Sequence, residues 1–185
     1  SMIVDIGGGT TEIAVMSLGG VVFSKSLRVA GDAMDGAIIN YMRKKFNLLI
    51  GESTAEKIKK EIGTAIPTSN NVFLMKGRDI RTGTPKEISL TEEDACEALM
   101  PILSQMLAAI KEALESTPPE LSADLVDMGL VLTGGGALLK NIDKLISKDT
   151  GLPVTIADNP LECVAIGTGK ALENEELFST MLSEY

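Results

Sequence analysis

The sequence contains no histidine among its 185 residues. Imidazole is the usual general base near neutral pH and a common metal ligand. Its absence therefore excludes Ser-His and Cys-His nucleophile pairs and histidine-ligated metal sites. Any chemistry must depend on carboxylates, lysines, backbone amides or a bound ion.

Cysteines and long apolar runs are also scarce. The two cysteines, Cys96 and Cys163, lie far apart in helix-like segments. This spacing predicts neither a disulfide framework nor a zinc site, and it indicates a reducing compartment. No apolar run approaches the ~20 residues needed to span a bilayer, and we expect no signal peptide before Ile3.

Basic residues are outnumbered by acidic ones. The 17 Lys and Arg against 26 Asp and Glu give a formal charge of -9, which opposes attraction to nucleic-acid phosphates. We therefore expect no nucleic-acid partner. The hydrophobic content of 44% is sufficient for a sizeable core.

The order of the apolar patterns predicts an α/β fold. Short apolar runs predict strands over 3–6, 12–16, 21–29, 128–132 and 154–156, and a small hairpin or sheet over 70–90. Helical periodicity predicts helices over 32–49, 52–62, 91–114, 138–147 and 161–172. A meander followed by a β-α-β-α unit indicates a mixed sheet flanked by helices, with a segment inserted between them.

The inserted segment, residues 31–92, is predicted to form a small α+β subdomain. Residues 3–30 and 93–175 are then expected to form a larger, discontinuous subdomain. We interpret residues 1–2 as a cloning remnant, ahead of a chain that starts within a longer protein. The polar, acidic residues 176–185 predict a frayed tail.

Two glycine clusters each follow a predicted strand. Residues 7–9 follow the first strand, and residues 134–136 lie between the strand over 128–132 and the next predicted helix. Glycine lets backbone amides approach an anion closely, and a helix that starts after the second cluster would favour an anion further. Neither cluster fits the P-loop or dinucleotide-binding patterns. Each could also be a simple turn.

Charged residues next to the first cluster and on the second predicted helix complete the candidate site. Asp5 ends an apolar strand, where a carboxylate needs compensation such as magnesium-bound phosphate, or else caps the glycine turn. Thr10 adds a hydroxyl. Glu56, Lys59 and Lys60 share a helix face that could meet a ribose and a purine edge, or could form only solvated ion pairs.

The segments DIGGGTTE and VLTGGGALL resemble the second phosphate-binding hairpin and the adenosine-binding turn of the actin, sugar-kinase and heat-shock-chaperone ATPase superfamily. Longer segments resemble the MreB family of bacterial actin-like rod-shape-determining proteins, in that family's order, from Ile3 to Leu172. These segments are VAGDAMDGAIINYMRKKFNLLIGESTAEKIKKEIG, KGRDIRTGTP, TPPELSADL and CVAIGTGKALE. The resemblance implies one lobe of an actin-like, ribonuclease-H-like ATPase.

The resemblance also implies roles for individual residues around ATP and Mg²⁺. Asp5 would lie near the magnesium ion and the attacking water, with no residue of this chain ligating the metal directly. The other assignments are phosphate contacts from Gly7, Gly8, Gly9 and Thr10, ribose and adenine contacts from Glu56, Lys59 and Lys60, and support beneath the nucleoside from Gly134, Gly135, Gly136 and Ala137.

In function, the resemblance implies cytoplasmic filaments that lie against the inner membrane and control rod cell shape. The first lobe and its catalytic residues are expected outside these 185 residues, so the chain alone is predicted neither to hydrolyse ATP nor to polymerise. Expected partners are ATP, other subunits and a RodZ-like transmembrane shape protein, with membrane contact only through missing segments. The alternatives are a sugar-kinase-like phosphotransferase lobe, for which no catalytic aspartate is found, and a partner-binding scaffold with a vestigial nucleotide site.

Overall fold

The computed structural model describes residues 1–174 as two β-sheets with α-helices packed against them. The strands are β1 (Met2–Ile6), β2 (Thr11–Ser17), β3 (Gly20–Leu27), β4 (Leu48–Leu49), β5 (Val72–Asp79), β6 (Pro85–Thr91), β7 (Leu130–Thr133) and β8 (Val154–Ile156). The helices are α1 (Gly31–Phe46), α2 (Glu52–Ile62), α3 (Glu92–Glu115), α4 (Pro119–Met128), α5 (Ile142–Thr150) and α6 (Cys163–Glu173). The predicted tail, 176–185, lies outside the described residues.

The five-stranded sheet has the order β3-β2-β1-β7-β8. The meander β1-β2-β3 is antiparallel, whereas β7 pairs in parallel with both β1 and β8. This confirms the predicted mixed sheet flanked by helices. In β1, Met2, Val4 and Ile6 are buried in the core while Asp5 points to the opposite face, as the two-residue period of a strand requires.

A three-stranded sheet, β4-β5-β6, lies within the segment predicted as an insertion, together with α1 and α2. Its strands β5 and β6 form the predicted hairpin. The buried apolar residues of both sheets and of the helices belong to one continuous cluster. The division of the chain into two subdomains therefore stays a prediction.

Helix α3 joins the two sheets and begins with a capping box. The amide of Asp94 donates to Thr91 Oγ1 at 3.2 Å, and the amide of Thr91 donates to Asp94 Oδ2 at 3.0 Å. The helical period predicted over 91–114 places Leu99, Leu103 and Ile110 on one face, and all three are buried, which fixes the helix against the core.

The second glycine cluster is followed by a different structure from the one the sequence predicts. A 3-10 turn spans Gly135–Leu138, and α5 begins only at Ile142, so the predicted helix over 138–147 is wrong at its start. The break falls at Asn141, whose φ of 61° is left-handed. Helix α4 was not predicted, because Leu125 is its one buried residue and its apolar pattern is weak.

Helix α6 differs from the other helices because none of its residues is buried within the described part of the chain. Its side chains Val164 and Leu172 are 62% and 64% exposed. No helix among residues 1–174 is long and apolar enough to cross a membrane.

Candidate functional site

A cleft of about 970 Å³ lies between the two glycine turns, the start of α1 and helix α2. Most of the residues that the sequence singles out line it: Asp5, Gly7, Gly8, Glu56, Lys59, Lys60, Gly134, Gly135 and Gly136. Gly9 and Thr10, which are exposed at the first turn, do not line the cleft. Ala137 is fully buried and also does not line the cleft. The roles implied for all of these residues, whether or not they line the cleft, stay predictions.

The parallel pairing of β1 with β7 brings the two turns together. Asp5 lies opposite Thr133, so both strands end at the same edge of the sheet and both chain segments enter their glycine turns there. The first turn is closed by the amide of Gly7, which donates to the Thr10 carbonyl at 2.9 Å. The second is fixed by the amide of Gly134, which donates to the Pro160 carbonyl at 2.9 Å.

Backbone amides at both turns are available to a ligand. Among residues 1–174, no acceptor takes a hydrogen bond from the amides of Gly8, Gly9, Gly135 or Gly136. Polar backbone groups are normally paired, and successive unpaired amides in a turn form a concavity that binds anions. The two turns can therefore provide donors to one anionic ligand.

Asp5 lies at the junction of the two turns. Gly134 has a φ of 81°, and a Cβ at this position would overlap the Asp5 carboxylate and the backbone of Ile6. Burial raises the pKa of Asp5, and the charge of Glu12, which is opposite on β2, raises this pKa further. An ionised Asp5 is thus unfavourable unless a cation or a donor lies close to it.

Lys59 is the more buried of the two candidate lysines on α2. Its Nζ lies 2.9 Å from Asp35 Oδ1 and donates to the Gly31 carbonyl at 3.1 Å. The Asp35 contact is ionic rather than a well-directed hydrogen bond, since among the described residues that oxygen has no partner of hydrogen-bond geometry. Lys59 therefore ties α2 to the start of α1.

Lys60 makes a different kind of contact. It forms an ion pair of 2.7 Å with Glu56 one helical turn away, and both side chains are largely exposed. The hydrogen bond from Lys60 lowers the pKa of Glu56. This is the solvated pairing that the sequence left as an alternative, although both residues also line the cleft.

Several residues of the cleft were not identified from the sequence. The amides of Gly31 and Asp32, at the start of α1, donate to the carbonyls of Gly7 at 3.1 Å and Gly8 at 2.8 Å, so α1 supports the first turn. The local signal was the Gly-Asp pair at a predicted helix start. Apolar side chains that line the cleft are exposed at Leu138 and Leu161. Lys140, which is held by Glu92, also faces the cleft.

Comparison with known sequences identifies relatives over nearly the whole chain. Residues 1–180 match the family model described as MreB/Mbl protein. The chain is 52% identical over 174 residues to the cell shape-determining protein MreB of Escherichia coli strain K12, covering 94% of this chain and 50% of that protein. It is 51% identical to the cell shape-determining protein Mbl of Bacillus cereus, covering 94% and 53%. The chain thus spans about half the length of the curated relatives it matches.

Solved structures with the same fold are actin-like. The crystal structure of MreB5 of Spiroplasma citri bound to AMPPNP has a TM-score of 0.91 and 40% identity, covering 95% of this chain and 53% of that chain. The MamK double helical filament has a TM-score of 0.69 and 26% identity, covering 87% and 50%. The actin-like fold implied by the resemblance is confirmed. Because the family model spans nearly the whole chain and half of the sequence is shared with MreB, the chain belongs to the MreB/Mbl family.

Proposed function

We propose that this chain is the ATP-binding half of an actin-like cytoskeletal protein that polymerises into filaments controlling rod cell shape. The observation that carries the proposal is the pair of glycine turns that face one cleft, where the amides of Gly8, Gly135 and Gly136 have no acceptor among residues 1–174. Such amides bind the phosphates of nucleotides. In support, the similar MreB5 was crystallised with AMPPNP and with ADP, and the curated relatives are cell shape-determining proteins.

Within this proposal the cleft has a phosphate end and a nucleoside end. Residues 7–10 hold the β- and γ-phosphates, and residues 134–137 pass beneath the nucleoside. Glu56, Lys59 and Lys60 lie on the ribose and adenine side, which agrees with the place of α2 along the wall of the cleft. The exposed apolar side chains Leu138 and Leu161 provide surface for a base.

The charge of the cleft supports binding of the nucleotide together with Mg²⁺. Its lysines, Lys59, Lys60 and Lys140, are each paired with a carboxylate. Its acidic residues are twice as numerous: Asp5, Asp32, Asp35, Glu52, Glu56 and Glu61. Bare phosphates would be repelled here, whereas a bound magnesium ion neutralises them. Magnesium gives up its waters reluctantly, so an ion bound to the phosphates would interact with Asp5 through its waters and would supply charge neutralisation there.

The isolated chain binds nucleotide weakly, does not hydrolyse ATP and does not form filaments. The support is that it spans about half of its relatives, 50% of MreB and 53% of Mbl, so the phosphates would be held from one side. In the parent protein, Asp5 would lie near a magnesium ion bound with the phosphates and would accept hydrogen bonds from its waters. The parent filament is cytoplasmic and peripheral to the inner membrane, with a RodZ-like partner on this lobe and membrane contact through other segments.

The experiment is an NMR titration of the chain with ADP and Mg²⁺, repeated on the Gly8→Val and Gly135→Val variants. A Cβ at Gly8 would meet only Asp32 Oδ1 at 3.8 Å, and one at Gly135 the end of Leu161 at 3.1 Å, so both variants should fold. Each is expected to weaken ADP binding at least tenfold, because the side chain added at Gly8 stands between the amides and the phosphates and the one added at Gly135 takes up space beneath the nucleoside.

The matched control is Gly167→Val, since a Cβ there meets nothing within 4 Å and the residue does not line the cleft. Unchanged ADP affinity in the two cleft variants would contradict the proposal and favour a partner-binding scaffold. Magnesium is tested by repeating the titration with EDTA, which should weaken binding. Turnover of ATP or pelleting of filaments by the unsubstituted chain would contradict the proposal that this chain holds the phosphates from one side only.

A further inference from the structure

Glu92 is a buried carboxylate beneath the cleft. It is 2% exposed and lies at the first residue of α3. Its Oε2 accepts hydrogen bonds from the amides of Thr68 and Ser69, both at 3.0 Å. Its Oε1 accepts from Ser69 Oγ at 2.7 Å and from Lys140 Nζ at 2.5 Å. Lys140 above all, and then these donors, lower the pKa of Glu92 to about 2.

Lys140 is fixed at both its ends. Its carbonyl accepts from the amide of Ala65 at 2.8 Å and from Thr64 Oγ1 at 3.2 Å, so the backbone cannot shift freely. Its ammonium is held by Glu92, while its side chain remains 44% exposed and lines the cleft. A lysine side chain normally loses considerable rotamer entropy on binding a ligand, and here much of that loss has already occurred in the folded chain.

The other lysines of the cleft are held differently. Lys59 and Lys60 are paired with Asp35 and Glu56, which themselves line the cleft. Glu92 does not line the cleft, so it balances the charge of Lys140 from below without facing a ligand. An ammonium has three N–H donors, and Glu92 occupies one of them. Among residues 1–174, no other acceptor takes a hydrogen bond from Lys140 Nζ. A charge-balanced ammonium with two N–H donors left suits an uncharged acceptor, such as a ring nitrogen or a ribose oxygen.

We propose that Lys140 donates a hydrogen bond to the nucleoside part of the bound nucleotide, and that Glu92 is the positioning residue that holds it there. The inference rests on the proposed function, because that function places the nucleoside over residues 134–137, the glycine turn that precedes Lys140 in the chain. The ligand is a purine nucleoside or nucleotide. In either case Lys140 contacts the base or the ribose and not a phosphate group.

The test compares adenosine with ADP by NMR titration of the unsubstituted chain and of Lys140→Met. We expect this substitution to weaken binding of both ligands by the same factor, about three- to tenfold, as for the loss of one hydrogen bond. Lys111→Met is the matched control, since Lys111 is ion-paired with Asp149 and does not line the cleft. A loss for ADP but not for adenosine would show a phosphate contact, and no loss for either would also overturn the proposal.

Glu92 is tested through its coupling to Lys140. Glu92→Gln should weaken adenosine binding in the unsubstituted chain but have no further effect when Lys140→Met is already present. A purely structural role would weaken binding equally in both backgrounds, which would overturn the assignment. If Glu92→Gln does not fold, Glu92→Asp keeps the charge and withdraws it from Lys140, and the same coupling is expected.

The two proposals fail in different ways. If ADP leaves the amides of both glycine turns of the unsubstituted chain unchanged, the proposed function and this inference are both overturned. If ADP binds there but Lys140→Met binds adenosine normally, this inference alone is overturned.

Discussion

Gly134 packs directly against Asp5, at the point where β1 and β7 both end. The contact is so close that a Cβ on residue 134 would overlap the carboxylate. The second glycine turn is therefore held against the end of the first strand, and the amides of both turns face the same cleft. This relationship between neighbouring parallel strands, rather than either glycine cluster alone, forms the candidate site.

Gly134→Ala should destabilise the chain strongly. Its φ of 81° is costly for alanine, and the added methyl group also overlaps Asp5 and Ile6. The control is Gly151→Ala, at a φ of 73° with nothing within 4 Å, which carries the backbone cost alone. We expect Gly151→Ala to lower the free energy of unfolding by about 1 kcal/mol and Gly134→Ala by about 2 kcal/mol more, measured in urea. Equal losses would contradict the close packing.

Asp5→Asn should stabilise the chain without ligand near neutral pH. Burial and then Glu12 raise the pKa of Asp5 above its ordinary 3.8, so the folded state favours the protonated form. Stability is therefore lost as the pH rises from about 3.8 through the raised pKa of the folded state. The Asp5→Asn variant should lack this decline, while Asp124→Asn on the exposed side of α4 should keep it. If the stability of the Asp5→Asn variant fell with rising pH as much as that of the unsubstituted chain, the pH dependence could not be assigned to Asp5.

Glu92 should have the opposite pH dependence. Its pKa of about 2 lies below the ordinary 4.5, so the ionised carboxylate stabilises the folded state. This stability is present above pH 4.5 and is lost as the pH falls towards 2. The difference in unfolding free energy between the unsubstituted chain and Glu92→Gln should therefore shrink over that range. The neighbouring Glu93 is exposed, and Glu93→Gln should leave the profile nearly unchanged. Identical profiles for the two variants would argue against the buried network.

The two lysines of α2 should differ in stability effect although they are adjacent. Lys59 is half-buried and has both an ion pair with Asp35 and a hydrogen bond to Gly31, so Lys59→Met should cost about 1–3 kcal/mol. Lys60 makes one exposed ion pair with Glu56, and Lys60→Met should cost less than about 0.5 kcal/mol. Urea unfolding of both variants measures the difference. Equal costs would mean that Lys59 does not tie α2 to α1.

The elements predicted best are those whose pattern is local. The meander, the hairpin over 70–90, the bounds of α2 at Glu52 and Ile62, and β8 all agree with the structure. Each has a clear two-residue or helical period and a turn residue at its end. The glycine clusters were identified for a similar reason, since Gly-Gly-Gly after a strand is visible in the sequence.

The features that were missed depend on contacts between distant segments. Glu92 and Lys140 are 48 residues apart, and nothing near either one indicates that they meet. Asp32 supports the first turn only because α1 folds back against it. The predicted start of α5 was wrong because Asn141 adopts a left-handed conformation. Its side chain donates hydrogen bonds to Thr64 and Ile66, which are distant in sequence, and these contacts outweigh local helical propensity.

The central claim is that both glycine turns bind one nucleotide. Its most direct measurement follows the amide signals of Gly8 and Gly135 as ADP and Mg²⁺ are added to the chain. We predict that both signals move, with the same dissociation constant, while the exposed Gly167 on α6 does not. Movement of one turn without the other, or of neither, would contradict the account.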